Sequence, residues 1–129
     1  MVVSHNLHIQ RVFSDVLDDC GLSPIPARTT SEAEEILKRL PISLIFCSDE
    51  LQNGGVNQLL QRISEASDKV PFIVVSRIND WERCRDFLQR GALDYVLYPS
   101  GRFEIERVVQ NALSLVELRG VQQQSTGLG

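Results

Sequence analysis

One short apolar run constrains the fold of this chain more than any other feature. The residues from Leu44 to Cys47 lie between two serines, with a proline upstream and the turn-forming Asn53-Gly54-Gly55 downstream. Such a short apolar run is typical of a strand buried on both faces in the middle of a parallel sheet. Ser48 and Asp49 follow where this strand ends, and ligands gather at that end of the strands in open parallel sheets.

Further strands and amphipathic helices alternate along the rest of the chain. The other predicted strands are 1–3, 23–28, 71–76 and 95–99. The second of these contains two prolines, which cannot donate to a sheet ladder, so we predict a weak or edge strand there. Apolar residues at helical spacing predict five helices, over about 9–20, 30–40, 56–63, 80–90 and 101–116.

Helix-capping residues precede several of these segments. Thr29 and Glu32 have the spacing of a capping box, Asn79 or Asp80 can cap the fourth helix, and Ser100 can cap the fifth. Among the apolar positions, we expect Leu40 at the end of the second helix to be buried, and Trp81, Cys84, Phe87 and Leu88 to form the apolar face of the fourth.

This alternation predicts the fold class. Five strands alternating with five helices imply a doubly wound α/β fold with a five-stranded parallel sheet, helices on both faces and right-handed crossovers, in three layers. We place one domain at residues 1–118. Residues 119–129 lack periodicity, and we interpret them as a flexible tail or a linker to an output domain.

Composition narrows the classes of function. The chain has 129 residues and a net charge of −4, which gives no reason to expect direct nucleic-acid binding. Its three cysteines are odd in number and lie in apolar contexts, as expected of reduced thiols in a cytoplasmic protein. The sequence contains no CxxC motif, membrane-spanning run or signal peptide, so we expect no metal site and no membrane contact.

The residues around the last strand carry a family resemblance. The segment Gly91-Ala92-Leu93-Asp94-Tyr95-Val96-Leu97-Tyr98-Pro99 resembles the GAxDYLxKP signature of CheY-like receiver domains of response regulators. The apolar strand before Ser48, the strand ending at Ser76 and Phe103-Glu104 at the last helix also match. The resemblance covers roughly residues 1–117 and implies the same flavodoxin-like (βα)5 fold.

The functional positions of that family are mostly replaced in this chain. Receivers carry an acidic pair after the first strand, an acceptor Asp after the third, a Thr or Ser after the fourth and a Lys after the fifth. By position, this chain has Ser4 and His5 for the acidic pair and Ser48 for the acceptor. Ser76 retains the hydroxyl, and Tyr98 replaces the Lys. Phosphoryl transfer needs a carboxylate nucleophile and Mg²⁺ held by carboxylates, so four of the five requirements are missing.

The resemblance therefore implies a degenerate phosphorylation pocket. We predict a pseudo-receiver that is not an enzyme, binds no cofactor and acts as a regulatory interaction module in bacterial signal transduction. Tyr95 matches the family's switch aromatic, although plain aromatic packing is its default interpretation. Two alternatives stay open: Asp49 acts as the phosphoacceptor, although strand alternation points it away from the pocket, or the fold binds a small ligand as flavodoxins do.

The implied partners are proteins. Receivers commonly pair through the fourth helix, the fifth strand and the fifth helix, so we expect a homodimer on that face, with Arg83, Arg90 and Arg107 at the interface. The chain would then form the N-terminal domain of a longer protein, such as a transcriptional regulator.

Overall fold

A computed structural model describes residues 1–66 and 69–128, with side chains described up to residue 116. Its five strands form one parallel sheet in the order β2-β1-β3-β4-β5. The strands are β1 (Val2–Val3), β2 (Pro26–Ala27), β3 (Ile45–Ser48), β4 (Phe72–Ser76) and β5 (Asp94–Leu97). The doubly wound prediction is confirmed, and the proline-containing strand is a two-residue edge strand, as expected.

Helices alternate with these strands along the whole chain. They are α1 (Leu7–Asp19), α2 (Thr30–Arg39), α3 (Gly55–Glu65), α4 (Trp81–Gln89) and α5 (Arg102–Leu128). A short 3-10 turn at Gln52–Gly54 leads into α3, and Asn53 and Gly54 both adopt left-handed backbone angles there. Among the described residues, no helix combines the length and the apolar character needed to cross a membrane.

The sheet separates two hydrophobic cores. On one face, α2, α3 and α4 cover side chains of β1, β3 and β4, including Val3, Ile45 and Val74. On the other face, α1 and α5 cover the alternate residues of the same strands, including Phe46 and Ile73. Because β3 and β4 are buried on both faces, their sequences are almost wholly apolar, which made them recognisable from the sequence.

Side-chain caps fix where the helices begin. The Thr29 hydroxyl accepts a hydrogen bond from the Glu32 N–H at 3.1 Å, and the Glu32 carboxylate accepts one from the Arg28 N–H at 2.7 Å. Asp80 caps α4 by accepting hydrogen bonds from two backbone N–H groups. The fifth helix differs from its prediction: it begins after Gly101, whose carbonyl accepts from two N–H groups of the first turn, so Ser100 is not its cap.

Burial differs from the sequence prediction in two helices. Leu40 is exposed because α2 ends at Arg39 and the backbone of Leu40 is already extended. In α4 only Phe87 is buried, whereas Trp81 is 70% exposed and Leu88 is 39% exposed. The apolar face of α4 is therefore wider than the surface that it covers.

The fifth helix also extends beyond its predicted end. It runs to Leu128 and crosses most of the segment that we interpreted from composition as a tail or linker. Glycine in a helix interior costs about 1 kcal/mol relative to alanine, so Gly120 weakens the helix without ending it. The domain boundary at residue 118 stays a prediction, and Gly129 lies outside the described residues.

Candidate functional site

Three serines line the carboxyl edge of the sheet. The pairing of Val3 with Cys47 brings Ser4 alongside Ser48, and Ser76 ends the neighbouring strand β4. All three side chains are buried. We call Ser4, Ser48 and Ser76 the serine edge, and it lies where the sequence predicted the site.

The hydroxyl groups of the serine edge all make the same local contact. Each accepts a hydrogen bond from the backbone N–H two residues later: Ser4 from Asn6 at 3.1 Å, Ser48 from Glu50 at 3.2 Å and Ser76 from Ile78 at 3.0 Å. Such turns satisfy a polar side chain inside the loop that it begins. The serine edge is therefore uncharged and buried, and its hydroxyl oxygens cap the first turns of three loops.

Asp49 lies next to this edge and has a different partner. Its side chain is only 2% exposed, and its carboxylate oxygen Oδ2 accepts hydrogen bonds from Arg83 Nε at 3.0 Å and from Arg83 Nη2 at 2.9 Å. Arg83 lies on α4, so this ion pair joins the end of β3 to a helix on the sheet face. Burial alone lowers the pKa of Arg83, but the hydrogen bonds and charge of Asp49 outweigh it and raise that pKa.

Tyr95 on β5 contacts the same region. Its hydroxyl donates a hydrogen bond to the Ile78 carbonyl at 2.6 Å, and its ring stacks on Phe87 with ring centres 6.1 Å apart. Burial raises the pKa of the Tyr95 phenol and outweighs an opposing hydrogen bond with Ser76, while the charge of Asp49 acts in the same direction as burial. Tyr95 therefore joins β5 to the loop before α4.

Tyr98 follows β5 and belongs to a chain of side-chain contacts. Its hydroxyl is hydrogen-bonded to Nδ1 of His8, and the Arg77 guanidinium lies 5.5 Å from the centre of its ring. Arg77 in turn pairs with Glu50, at 3.2 Å between Nε and Oε1. Side chains following β1, β3, β4 and β5 thus form one row of contacts near the serine edge.

Comparisons with known proteins add to this geometry. No family model matches the chain. An NtrX-like response regulator of Rickettsia bellii is 23% identical over 121 residues, which are 92% of this chain and 25% of that protein. The response regulator PilR of Pseudomonas aeruginosa is 24% identical over 115 residues, 89% of this chain and 26% of that protein. The chain thus spans about a quarter of the length of these relatives.

A solved structure gives the closer match in length. The crystal structure of the receiver domain of NtrX from Brucella abortus superposes with a TM-score of 0.77 at 26% identity, covering 88% of this chain and 96% of that domain. Sequence and structure together support a response-regulator receiver domain.

Some of the predicted site residues lie outside the row of contacts. His5 is exposed in the loop after β1. Arg90 pairs with Asp86 one turn earlier on α4, at 3.1 Å, and Arg107 pairs with Glu104 on α5, at 2.6 Å. Of the three arginines predicted at an interface, only Arg83 is turned towards the end of a strand.

The role of Gln10 was not predicted from the sequence. Its side-chain amide nitrogen lies within hydrogen-bond distance of the carbonyls of Val2, Ser4 and Ala27, at 2.8, 3.0 and 3.0 Å, and thus joins the ends of β1 and β2. The side chain is buried, and its oxygen is without a partner. A lone Gln in an amphipathic helix is normally a solvent-facing residue, so its position on α1 offered no signal.

In the described part of the chain, no group of three or more His, Cys, Asp or Glu side chains is arranged to hold a metal ion. A groove of about 320 Å³ lies at the amino ends of β4 and β5, lined by residues that include Pro71, Phe72 and Leu93. That groove is at the opposite edge of the sheet from the serine edge.

Proposed function

We propose that this receiver domain is a pseudo-receiver, a regulatory interaction module that works without phosphoryl transfer and is not an enzyme. The observation that carries the proposal is the serine edge, where each hydroxyl is held by the backbone of its own loop. A phosphoacceptor site would instead need a carboxylate nucleophile with carboxylates for Mg²⁺.

The position of Tyr98 supports the proposal. A receiver Lys supplies a point cation to a phosphoryl oxygen, whereas a phenol carries no positive charge. Here the phenol is hydrogen-bonded to His8 and stacked under Arg77. The losses are also coherent, because a Lys without acidic partners would be an unpaired charge in a pocket that is costly to desolvate.

The position of Asp49 also favours this proposal over Asp49 as the acceptor. A nucleophile needs access to the phosphoryl donor, but the Asp49 side chain is 2% exposed and both of its short contacts go to Arg83. The charge of its carboxylate is thus already compensated by a guanidinium.

For the whole protein, we propose that this domain lies at the N-terminus of a longer cytoplasmic regulator of transcription and acts through its output domain. The share of the relatives that it spans, about a quarter, supports further domains. Both relatives are response regulators, which supports a role in two-component signalling.

Phosphoryl labelling tests the proposal. Incubation with acetyl phosphate and Mg²⁺ should leave the wild-type domain without a hydroxylamine-labile phosphate, measured by intact-mass spectrometry. Ser48→Asp alone should also stay unlabelled, because the new carboxylate would have neither metal nor Lys nearby, which raises its pKa. The combined variant with Ser4→Asp, His5→Asp, Ser48→Asp and Tyr98→Lys is the control that should recover labelling.

Labelling of the wild-type domain would overturn the proposal. Labelling that disappears in Asp49→Asn would identify Asp49 as the acceptor, whereas labelling that persists in that variant would point to another residue. Because intact mass counts phosphates directly, a domain that changes in stability without gaining mass does not count as labelled.

We further propose that the domain forms a homodimer through α4, β5 and α5. Leu88, Leu97 and Phe103 are exposed apolar side chains on these three elements. The sheet order also makes β5 an edge strand, with one side open for pairing.

Sedimentation velocity tests this dimer. Leu97→Lys should shift the wild-type dimer to a monomer, while the control Leu40→Lys should not, because Leu40 is exposed at the end of α2, which leads from β2 at the opposite edge of the sheet. A strict monomer at high concentration for the wild-type protein would remove the case for the dimer.

A further inference from the structure

Helix α4 has little apolar contact with the rest of the domain. Among its residues only Phe87 is buried, and the exposed Trp81 and Leu88 contribute little to its attachment. Elements with few buried apolar contacts open most readily in native proteins. The attachment of α4 must therefore depend on other contacts.

The Asp49–Arg83 ion pair supplies such a contact. The Asp49 carboxylate is 2% exposed, and the Arg83 side chain is 37% exposed. The guanidinium also lies 5.5 Å from the centre of the Phe87 ring. Arg83 thus contacts both the end of β3 and the one buried side chain of its own helix.

The energetic cost of losing this pair is one-sided. If Arg83 were removed while α4 stayed in place, Asp49 would be a buried carboxylate without a cation. Leaving a buried charge without its partner is costly, whereas the net value of an intact, half-exposed pair is small. Arg83 therefore allows α4 to lie over the Asp49 carboxylate, and its loss favours arrangements in which α4 moves away and Asp49 regains water.

Tyr95 reinforces the same arrangement from β5. Its hydroxyl donates to the Ile78 carbonyl, which lies in the loop leading into α4, and its ring stacks on Phe87. The start of α4 is thus held by Asp49 from one side and by Tyr95 from the other.

We propose that the Asp49–Arg83 pair is a built-in latch that fixes α4 against the carboxyl end of β3, so that this face of the domain keeps one conformation without a phosphoryl group. The latch depends on the opposite charges of Asp49 and Arg83. It does not depend on whether the serine edge can be phosphorylated, and it goes beyond the pseudo-receiver proposal in assigning a positioning role to both residues.

Hydrogen exchange of the whole domain tests the latch. Arg83→Gln should lower the protection of the α4 amides, residues 81–89, by at least about tenfold while those of α1 change far less. The matched control is Arg90→Gln, which removes a cation at the end of the same helix but breaks only exposed contacts, with Asp86 and with Asn57 on α3. Trp81, the only tryptophan of the chain, gives a second readout, because its fluorescence should change in Arg83→Gln and not in Arg90→Gln.

A double-mutant cycle distinguishes a latch from a general loss of stability. Adding Asp49→Asn to Arg83→Gln should restore part of the α4 protection, because the buried charge is then gone. Equal loss of protection in α1 and α4, or additive effects of the two substitutions, would overturn the latch. If Arg83→Gln does not fold, the double variant Asp49→Asn/Arg83→Gln should still fold, because it buries no unpaired charge, and failure of the double variant to fold would also overturn the latch.

Discussion

Helices α3 and α4 lie on the same face of the sheet, yet they are attached to it in different ways. The buried residues of α3 are Gly55, Val56, Leu59, Leu60 and Ile63, whereas α4 buries Phe87 alone. Their first turns differ in the opposite sense. Helix α3 begins after a left-handed glycine and has no side-chain cap, whereas the Asp80 carboxylate caps α4 by accepting hydrogen bonds from two backbone N–H groups. Apolar burial holds α3, while α4 depends on a cap and an ion pair.

This difference shows that helix formation and helix attachment are separate properties. Both sequences have apolar residues at helical spacing, and both form helices. Attachment depends on how much of the sheet lies beneath the helix, and β5 at the sheet edge offers α4 less surface than β3 and β4 offer α3. A weakly attached helix beside the candidate site suits a surface that partners contact, because mobile and binding elements belong to the least stable parts of a protein.

Truncation of one leucine in each helix should show the largest difference in unfolding free energy between α3 and α4. Leu60→Ala in α3 should cost ~2–5 kcal/mol of unfolding free energy, because it empties a fully packed position. Leu88→Ala in α4 should cost less than ~0.5 kcal/mol, since Leu88 is already 39% exposed. Urea denaturation followed by circular dichroism measures both.

The two variants share their chemistry, so the side chain's surroundings are the only difference. Similar costs for the two substitutions would mean that α4 packs as closely as α3, and the account of α4 as a helix held by polar contacts would be wrong. The m-value of each variant should equal that of the wild-type domain, which confirms that the same surface unfolds.

Most of the fold was readable from the sequence because its signals are local. Strands β3 and β4 are apolar runs, and the caps Thr29 and Asp80 stand directly before their helices. The errors concern burial, which is not local. Leu40 has helical spacing but lies after the last turn of α2, and Trp81 has helical spacing but nothing of the sheet beneath it.

The candidate site was predictable only in part, for the same reason. The serine edge follows from strand ends, because parallel strands place their carboxyl ends together. The Asp49–Arg83 pair joins residues 34 positions apart, and no local pattern distinguishes Arg83 from the other arginines of α4. The row from His8 through Tyr98 to Arg77 likewise joins the first turn of α1 to the loops after β5 and β4, so it becomes visible only when the sheet order is known.

The thiols of Cys47 in β3 and Cys84 in α4 differ in burial, so each reports on the accessibility of its own element. Cys47 lies fully buried in β3, where burial and then the charge of Asp49 raise its pKa. Cys84 is half-buried on α4, where burial and then the charge of Asp94 raise its pKa. The thiolate is the reactive form, so both should react more slowly than a free thiol at neutral pH.

Labelling with an aromatic disulfide reagent in a Cys20→Ser background should separate these two thiols. Cys84 should react in the native domain, with a rate that rises about tenfold per pH unit and keeps rising above pH ~8.5, because its pKa is raised above that of a free thiol. Cys47 should react only through global unfolding and hence at least about 100-fold more slowly. Arg83→Gln should speed the labelling of Cys84 more than that of Cys47, since the latch holds α4 and not β3. If both thiols respond equally, α4 opens only with the whole domain, and the two helices are equally attached after all.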